Sequence, residues 1–323
     1  MRVLVTGGAG YIGSVVTAQL LAAGHEVVVV DDLSTGHQDA VPPGAVFHEL
    51  STASLDPVLG SWAIDAVIHF AARSLVGESI TEPSAYWRNN VSGTLALLDS
   101  MRAHGVGSIV FSSSAATYGQ AVEQPIREDA PARPTSAYGR SKLAVDMALT
   151  DYATAYGIGA VSLRYFNVAG ALRTPSGGYG ERHTTETHLI PNALRAVDGG
   201  PPLQLFGADY PTDDGTCVRD YIHVVDLGDA HLRALGVVEP AAHHVVNLGS
   251  GAGYSVRQVL TAVGEVTGEE VPVIEAPRRP GDPPVLVASN AAAAQLLGWR
   301  PERDLNRMVA DAWEFHRFGR AAG

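Results

Sequence analysis

The opening of the chain carries the pattern that most restricts the fold. Residues 3–5 (VLV) have the composition of a short buried strand, and glycines follow at positions 7, 10 and 13 within residues 6–13. Residues 14–23 have helical composition and end before Gly24. In a strand, glycine-rich turn and helix, the glycines let a pyrophosphate approach the backbone amides at the positive helix end. The pattern therefore predicts a dinucleotide-binding unit.

An acidic pair indicates which dinucleotide binds. Residues 26–30 (EVVVV) predict a second strand, and Asp31 and Asp32 follow it. Asp31 lies 18 residues beyond Gly13, close to the spacing at which a carboxylate binds the adenosine ribose. Because a carboxylate accepts hydrogen bonds from ribose hydroxyls and repels a 2′-phosphate, the pair favours NAD over NADP.

Strands and helices then alternate. Further apolar strands are predicted at residues 65–70, 108–112 and 158–163, with helices at 83–104 and 136–156. This alternation predicts a Rossmann-type, doubly wound α/β fold with a parallel sheet covered on both faces. Ligands of such sheets bind beyond the carboxyl ends of the strands, where the glycine turn, Ala71, Ser114 and Asn167 are expected.

The alternation breaks near Leu172. Residues 174–188 have the composition of a loop, and residues 203–207 predict a short strand. Residues 219–226 lead into a helix, 244–248 predict a returning strand, and 305–318 an amphipathic helix. We predict a Rossmann domain at 1–168 that regains segments near 219–250. A smaller mixed α/β substrate-binding lobe is expected at 169–323.

A tyrosine and a lysine form the candidate reactive pair. Tyr138 and Lys142 are four residues apart, so on a helix their side chains share one face. A free phenol titrates near pH ~10, and a nearby ammonium favours its ionised form. We therefore expect Lys142 to lower the pKa of Tyr138, which would exchange a proton with a substrate hydroxyl.

Composition restricts partners and location. A net charge of −12 argues against general nucleic-acid binding. Cys217 is the only cysteine, which excludes an intramolecular disulfide and fits a reducing compartment. We expect no signal peptide, and we find no apolar run near the ~18 residues that span a bilayer. We expect a cytoplasmic protein without membrane partners. Since no HxH or HExxH spacing occurs, we expect no metal site.

Five segments together resemble the extended short-chain dehydrogenase/reductase family: GGAGYIG, SSSAATYG, SAYGRSKL, RYFNVAG and VRDYIHVVDL. VGES at 76–79, residues 209–224 and PRRPGD at 277–282 resemble more narrowly its UDP-hexose 4-epimerase branch. The resemblance covers essentially the whole chain. It implies an isomerase with tightly bound NAD that interconverts UDP-galactose and UDP-glucose through a transient 4-keto sugar. A homodimer is also implied.

The resemblance also implies site residues. Ser114 would join Tyr138 and Lys142 as the catalytic group. The implied cofactor-binding positions are Gly7, Gly10, Tyr11, Ile12, Gly13, Asp31, Asp32, Leu33, Glu49, Leu50, Phe70, Ala71, Ala72, Asn90, Ser112, Tyr138, Lys142, Tyr165 and Phe166. The implied substrate-binding positions include Ser114, Tyr138, Asn167, His188, Leu189, Phe206, Arg219, Arg279 and Asp282.

Departures from the family pattern leave alternatives open. His188 stands where the family often has asparagine, and Leu286 is intermediate between a restrictive tyrosine and a permissive small residue. An epimerase acting on a UDP-N-acetylhexosamine, UDP-glucuronate or a UDP-pentose is one alternative. A non-catalytic NAD-binding sensor is another. A dehydratase is disfavoured because Ser114-Ala115-Ala116 replaces the acidic pair that dehydratases carry after a threonine.

Overall fold

The computed structural model describes residues 1–121, 123–174, 177–279 and 282–318. Three predicted segments therefore lie partly outside the described residues. These are residues 175–176 of the loop at 174–188, residues 280–281 of PRRPGD, and the last five residues of the C-terminal lobe.

The strands of the described residues are, in chain order, β1 (Arg2–Thr6), β2 (Glu26–Asp31), β3 (Val46–Glu49), β4 (Ala66–His69), β5 (Ser108–Ser114), β6 (Gly159–Tyr165), β7 (Asn167–Ala169), β8 (Ala171–Thr174), β9 (Gly177–Gly180), β10 (Leu203–Phe206), β11 (Val218–Arg219), β12 (Tyr221–His223), β13 (His243–Leu248), β14 (Tyr254–Ser255), β15 (Val273–Ala276) and β16 (Val285–Leu286).

The α-helices are α1 (Tyr11–Ala22), α2 (Asp56–Ser61), α3 (Val76–Thr81), α4 (Pro83–Tyr86), α5 (Gly93–Ala103), α6 (Ala137–Tyr156), α7 (Leu189–Val197), α8 (Val224–Leu235), α9 (Val256–Thr267), α10 (Ala291–Leu296) and α11 (Leu305–Phe318). Short 3₁₀ turns lie at Gln38–Ala40, Thr52–Ser54 and Ala115–Thr117, and a π-helical turn lies at Trp87–Ser92. No described helix is both long enough and apolar enough to cross a membrane.

Seven parallel strands form the central sheet, in the order β13-β6-β5-β4-β1-β2-β3. Strand order reverses beside β1, where β4 pairs on one side and β2 on the other. In a doubly wound sheet this reversal opens a crevice beyond the carboxyl ends of the strands. The topology thus confirms the predicted Rossmann-type fold and places the glycine turn after β1 at the crevice.

Alternating side chains give the sheet two apolar faces. Val3 and Val5 pack into one buried cluster with residues of α1, α8 and α10. Leu4, between them, packs into a second cluster with residues of α2, α5 and α6. Because successive side chains of a strand point to opposite faces, continuous apolar strands need helices on both sides.

A third cluster lies outside the central sheet and joins helices α7, α9 and α11. Two short parallel strands, β10 and β15, pair beside it. The proposed division into a cofactor-binding domain and a smaller substrate lobe stays a prediction.

The structure differs from the sequence prediction at several elements. The strand predicted at 108–112 continues to Ser114, whose partner on β6 is Tyr165. The helix predicted at 83–104 is divided by the π-helical turn. The prediction of a loop over residues 174–188 is wrong in part, because β9 is a strand that pairs antiparallel with β8. The returning strand, β13, is found at the sheet edge, and β3 was not predicted.

Candidate active site

One cavity of about 500 Å³ runs across the crevice at the carboxyl ends of the central strands. The glycine turn and Asp31 lie at one part of its wall, and Tyr138 and Lys142 line it too. Arg219, from outside the central sheet, completes the lining. The cavity therefore joins residues predicted for the cofactor, the reactive pair and the substrate.

Close backbone contacts explain two of the glycines. Gly7 has a φ of +75°, which L side chains rarely adopt. A Cβ on Gly13 would lie 2.1 Å from the Gly7 carbonyl oxygen. Helix α1 begins after Gly10, without a side-chain cap and without an acid in its first turn. Its first amides are therefore available to an anion, which fits the pyrophosphate of a dinucleotide.

Asp31 is held at the end of β2 by two backbone amides. Its Oδ2 accepts from Ala9 N at 3.0 Å, and its Oδ1 accepts from Leu33 N at 2.9 Å. Burial raises the pKa of Asp31, and these two hydrogen bonds lower it only in part. Since the carboxyl group lines the cavity, it fits an acceptor for ribose hydroxyls.

The reactive pair lies on α6. The Ser136 hydroxyl caps this helix by accepting from Gly139 N at 3.1 Å. Lys142 is buried, and its Nζ donates to the Ser112 carbonyl oxygen at 2.7 Å. Burial lowers the pKa of Lys142 to about 7, although the nearby Asp146 carboxylate acts to raise it. This lysine can therefore gain or lose a proton near neutral pH.

The expected lowering of the Tyr138 pKa is wrong for this structure. Burial raises the pKa of Tyr138, and a hydrogen bond with Ser114 offsets only part of the rise. Lys142 Nζ lies 5.9 Å from the centre of the Tyr138 ring. The spacing of four residues correctly predicts a shared helix face, but it does not reveal how deeply that face is buried.

Asn90 supports the site without lining the cavity. Its Oδ1 accepts from Arg73 N at 2.8 Å, and its Nδ2 donates to Arg73 O and to Ser141 Oγ, both at 3.0 Å. These bonds connect the segment after β4 with α6. The π-helical turn thus positions a polar side chain between two walls of the site.

Arg219 and Asp282 line the cavity, and their side-chain atoms approach to 3.6 Å. Arg219 also donates to Pro283 O at 2.8 Å. Asn167, at the start of β7, donates its Nδ2 to Asp220 O at 2.8 Å. A guanidinium held by carbonyl oxygens is a suitable contact for a phosphate.

Most residues predicted from the sequence line this cavity. They are Gly7, Gly10, Tyr11, Ile12, Gly13, Asp31, Asp32, Leu50, Phe70, Ala71, Ala72, Ser112, Ser114, Tyr138, Lys142, Tyr165, Phe166, Asn167, His188, Arg219 and Asp282. Leu286, whose effect on sugar specificity the sequence left undecided, lines the cavity as well. The cavity wall does not include Leu33, Glu49, Asn90, Leu189, Phe206 or Arg279. Of these, Arg279 and Phe206 contact each other, with the guanidinium 4.0 Å from the ring centre.

Sequence reasoning missed a cluster of four ionisable side chains between β9 and α7. Glu181, His183, Glu186 and His188 place their polar atoms within 4.8 Å of one another. His183 and His188 also line the cavity. The signal in the sequence was two E-x-H segments five residues apart, which carry no recognised spacing for a site.

Known proteins share this sequence and this fold. The model of the NAD dependent epimerase/dehydratase family matches residues 3–249. A UDP-glucose 4-epimerase of Corynebacterium glutamicum is 53% identical over 318 residues, which cover 98% of this chain and 95% of that protein.

Two crystal structures of UDP-glucose 4-epimerases superimpose closely. The Brucella ovis protein in complex with NAD has a TM-score of 0.93 and 44% identity, and 98% of each chain is covered. The Bifidobacterium longum protein in complex with NAD⁺ and UDP has a TM-score of 0.91 and 36% identity, again with 98% of each chain covered. The chain therefore belongs to the NAD dependent epimerase/dehydratase family, in the branch of the UDP-glucose 4-epimerases.

Proposed function

We propose that this protein is an NAD-dependent isomerase that interconverts UDP-galactose and UDP-glucose by inversion at carbon 4. The observation that carries the proposal is the single cavity that joins the glycine turn, the Ser114–Tyr138–Lys142 group and Arg219. The named relatives are UDP-glucose 4-epimerases that align with this chain over nearly their whole length, and they support the same activity.

NAD fits the glycine-turn end of the cavity. The uncapped start of α1 would hold the pyrophosphate, and Asp31 would accept from the adenosine ribose. Lys142 would hold the nicotinamide ribose. When bound, NAD supplies a hydride acceptor for carbon 4 and then a hydride donor to its opposite face, so that the sugar passes through a 4-keto form.

Tyr138 would move the proton of the 4-hydroxyl group. The proton would pass to Tyr138 either directly or through the hydroxyl of Ser114, which forms a hydrogen bond with Tyr138. Burial opposes the phenolate, so the tyrosine needs a positive charge nearby to ionise. Lys142, on the same helix face, would provide it while its Nζ stays anchored to the Ser112 carbonyl.

Arg219 would bind the diphosphate at the far part of the cavity, with Asn167, His188 and Asp282 beside it. Arg279 and Phe206 would extend this nucleotide site beyond the cavity wall. Because the 4-keto sugar has to turn over between the two hydride transfers, affinity should come mainly from the UDP portion.

A second substrate class rests on Leu286. This side chain lines the cavity and is smaller than a tyrosine and larger than a serine. An epimerase that also accepts a UDP-N-acetylhexosamine is therefore the second candidate.

The test is to incubate the purified protein, without added NAD, with UDP-galactose and separately with UDP-N-acetylgalactosamine. Chromatography then measures the 4-epimers, and the Tyr138→Phe variant serves as the inactive control. Conversion of UDP-galactose alone would support the first candidate, and conversion of both would support the second. Conversion of neither, even after NAD is supplied, would contradict the proposal.

A homodimer and a cytoplasmic location complete the proposal. Exposed apolar side chains, which include Ile80 on α3, Trp87 in the π-helical turn and Met147 on α6, support a homodimer. Contacts of α3 and α4 with α6 place these elements together. A second copy of the chain would cover these side chains, and sedimentation velocity at the assay concentration would measure the mass of the assembly.

A further inference from the structure

The cluster of Glu181, His183, Glu186 and His188, here called the Glu–His cluster, contains two deeply buried carboxylates. The Glu186 side chain is 1% exposed and that of Glu181 is 7% exposed. His188 is 42% exposed and lines the cavity. A buried carboxylate is costly unless an opposite charge or a metal ion compensates it. A positive charge on one of the histidines of the cluster would compensate these carboxylates.

Distances within the cluster favour a protonated imidazole over a metal ion. His188 Nδ1 lies 2.5 Å from Glu181 Oε1 and 3.1 Å from Glu186 Oε1. Ligands about 2.0–2.2 Å from a tetrahedral zinc ion would lie roughly 3.3 Å apart. Both separations are shorter than this, and the 3.1 Å contact between His188 Nδ1 and Glu186 Oε1 is a hydrogen bond. Nδ1 of His188 thus carries a proton that it donates to Glu186, with the Glu181 carboxylate beside it as an ion-pair partner.

The second ring nitrogen of His188 is free to bind a ligand. Among the described residues, none makes a hydrogen bond with its Nε2, and the ring lines the cavity with Arg219 and Asp282. When Nδ1 donates to a carboxylate, a proton on Nε2 makes the ring an imidazolium with a second donor.

We propose that Glu181 and Glu186 hold His188 as an imidazolium whose Nε2–H binds the diphosphate of the nucleotide sugar. The inference rests on the proposed function and deepens it, because it assigns a fixed cation beside Arg219. Glu181 and Glu186 are positioning residues in this arrangement, since they act through His188.

The charged groups around His188 agree with this assignment. Burial lowers the pKa of His188, but hydrogen bonds with Glu181 and Glu186 outweigh burial and raise it to about 10. Hydrogen bonds with the two histidines lower the pKa of Glu181 against burial. His183 faces His188 with the ring centres 5.5 Å apart. From α1, the Tyr11 hydroxyl faces the cluster, and its pKa is raised by burial and by both carboxylates.

The experiment measures UDP-glucose binding calorimetrically to NAD-loaded protein in the Tyr138→Phe background, in which the ligand is not turned over. Affinities are compared at about pH 6 and about pH 8, on either side of the ordinary histidine pKa of ~6.5. The variants are His188→Gln and the double variant Glu181→Gln/Glu186→Gln. Lys142 titrates in the same range in every protein, so each variant is compared with its parent at the same pH.

Asp39→Asn is the matched control. Arg182, in the same segment as the cluster, donates to Asp39 Oδ2 at 2.8 Å. This substitution removes another ion pair of the segment without changing the charge of the Glu–His cluster. A loss of affinity caused only by loosening of the segment would therefore appear in the control as well.

We expect His188→Gln to weaken binding about tenfold at both pH values, as for one lost charge-assisted hydrogen bond. The double variant should bind about tenfold more weakly than its parent near pH 8, where its imidazole is neutral, and the loss should be smaller near pH 6, where part of the imidazole is protonated. Asp39→Asn should bind like its parent at both. Because His188 is partly exposed, His188→Gln tests the inference without replacing a buried carboxylate.

Three results would overturn the inference. One is parent-like binding by His188→Gln, and another is parent-like binding by the double variant near pH 8. The third is parent binding that requires added Zn²⁺ and disappears with EDTA, which would make the cluster a metal site. A parent protein that binds UDP-glucose and fails these comparisons refutes the inference alone. A parent that binds no UDP-glucose contradicts the proposed function as well.

Discussion

Replacing Asp146 by asparagine tests a buried ion pair on the helix that carries Tyr138 and Lys142. Asp146 Oδ2 accepts from Arg164 Nη2 at 2.7 Å, from Arg164 Nε at 3.0 Å and from Ser113 Oγ at 3.1 Å. The Asp146 side chain is 5% exposed and that of Arg164 is 7% exposed. The substitution leaves the charge of Arg164 buried without its carboxylate.

Removal of one partner from a buried pair costs about 3–5 kcal/mol of the free energy of unfolding. With an unfolding entropy of ~2.1 cal/mol/K per residue, 323 residues give ~0.7 kcal/mol/K. A loss of ~4 kcal/mol should therefore lower the melting temperature by ~6 °C. Differential scanning calorimetry at neutral pH with saturating NAD measures this shift.

Two comparisons distinguish the buried pair from a general effect of charge removal. Asp229→Asn breaks the half-exposed pair with Arg233 and should change the melting temperature by no more than ~1 °C. The double variant Asp146→Leu/Arg164→Met should recover most of the lost stability, because no unpaired charge remains. A melting temperature of Asp146→Asn within ~1 °C of the wild type would refute the reasoning.

The same substitution should change the pH dependence of turnover. Asp146 acts to raise the pKa of Lys142 against the larger effect of burial. Asparagine no longer favours the ammonium form, so the pKa of Lys142 should fall below its present value of about 7. The limb of the kcat/KM profile that reports Lys142 should then move to lower pH. An unmoved profile would mean that Asp146 stabilises the helix without acting on the lysine.

Three other substitutions test the proposed site. Tyr138→Phe should lower kcat by at least ~100-fold while NAD released on denaturation stays equimolar with protein, and near-normal turnover would contradict the assigned proton transfer. Gly13→Ala should abolish retention of NAD through purification, because its Cβ would lie 2.1 Å from the Gly7 carbonyl, whereas Gly77→Ala meets no atom within 4 Å and should retain NAD. Leu286→Ala should raise the kcat/KM ratio of UDP-N-acetylgalactosamine to UDP-galactose, and an unchanged ratio would show that Leu286 does not restrict the sugar.

The central sheet could be predicted because its signals are local. An apolar strand of parallel type is recognisable in itself, and the close contacts that require glycine at position 13 lie within the same segment, with Gly7 and Gly8. β3 escaped prediction because its residues are only partly buried and lack a continuous apolar run. β9 escaped because GGYG has a composition typical of loops, and only pairing with β8 makes it a strand.

The candidate site could be predicted where regular secondary structure fixes the distance between two residues. Tyr138 and Lys142 lie on one helix, so a separation of four residues has a known geometric meaning before any tertiary contact is considered. The chain could not reveal the environment of the pair, and burial of Tyr138 reversed the expected direction of its pKa shift. Local spacing thus predicts which side chains are adjacent, whereas their ionisation depends on packing from distant segments.

The Glu–His cluster shows the opposite limit. Six residues of loop lie between Glu181 and His188, yet their polar atoms approach to 2.5 Å. No helical or strand period fixes that distance, because it depends on how the segment folds back between β9 and α7. In this protein the part of the site that could be predicted from residue spacing is therefore the helix pair for which we propose the proton transfer. The Glu–His cluster, which we propose helps to bind the diphosphate, is built from a loop, where substitutions alter affinity without disturbing the helix and sheet that hold the reactive pair.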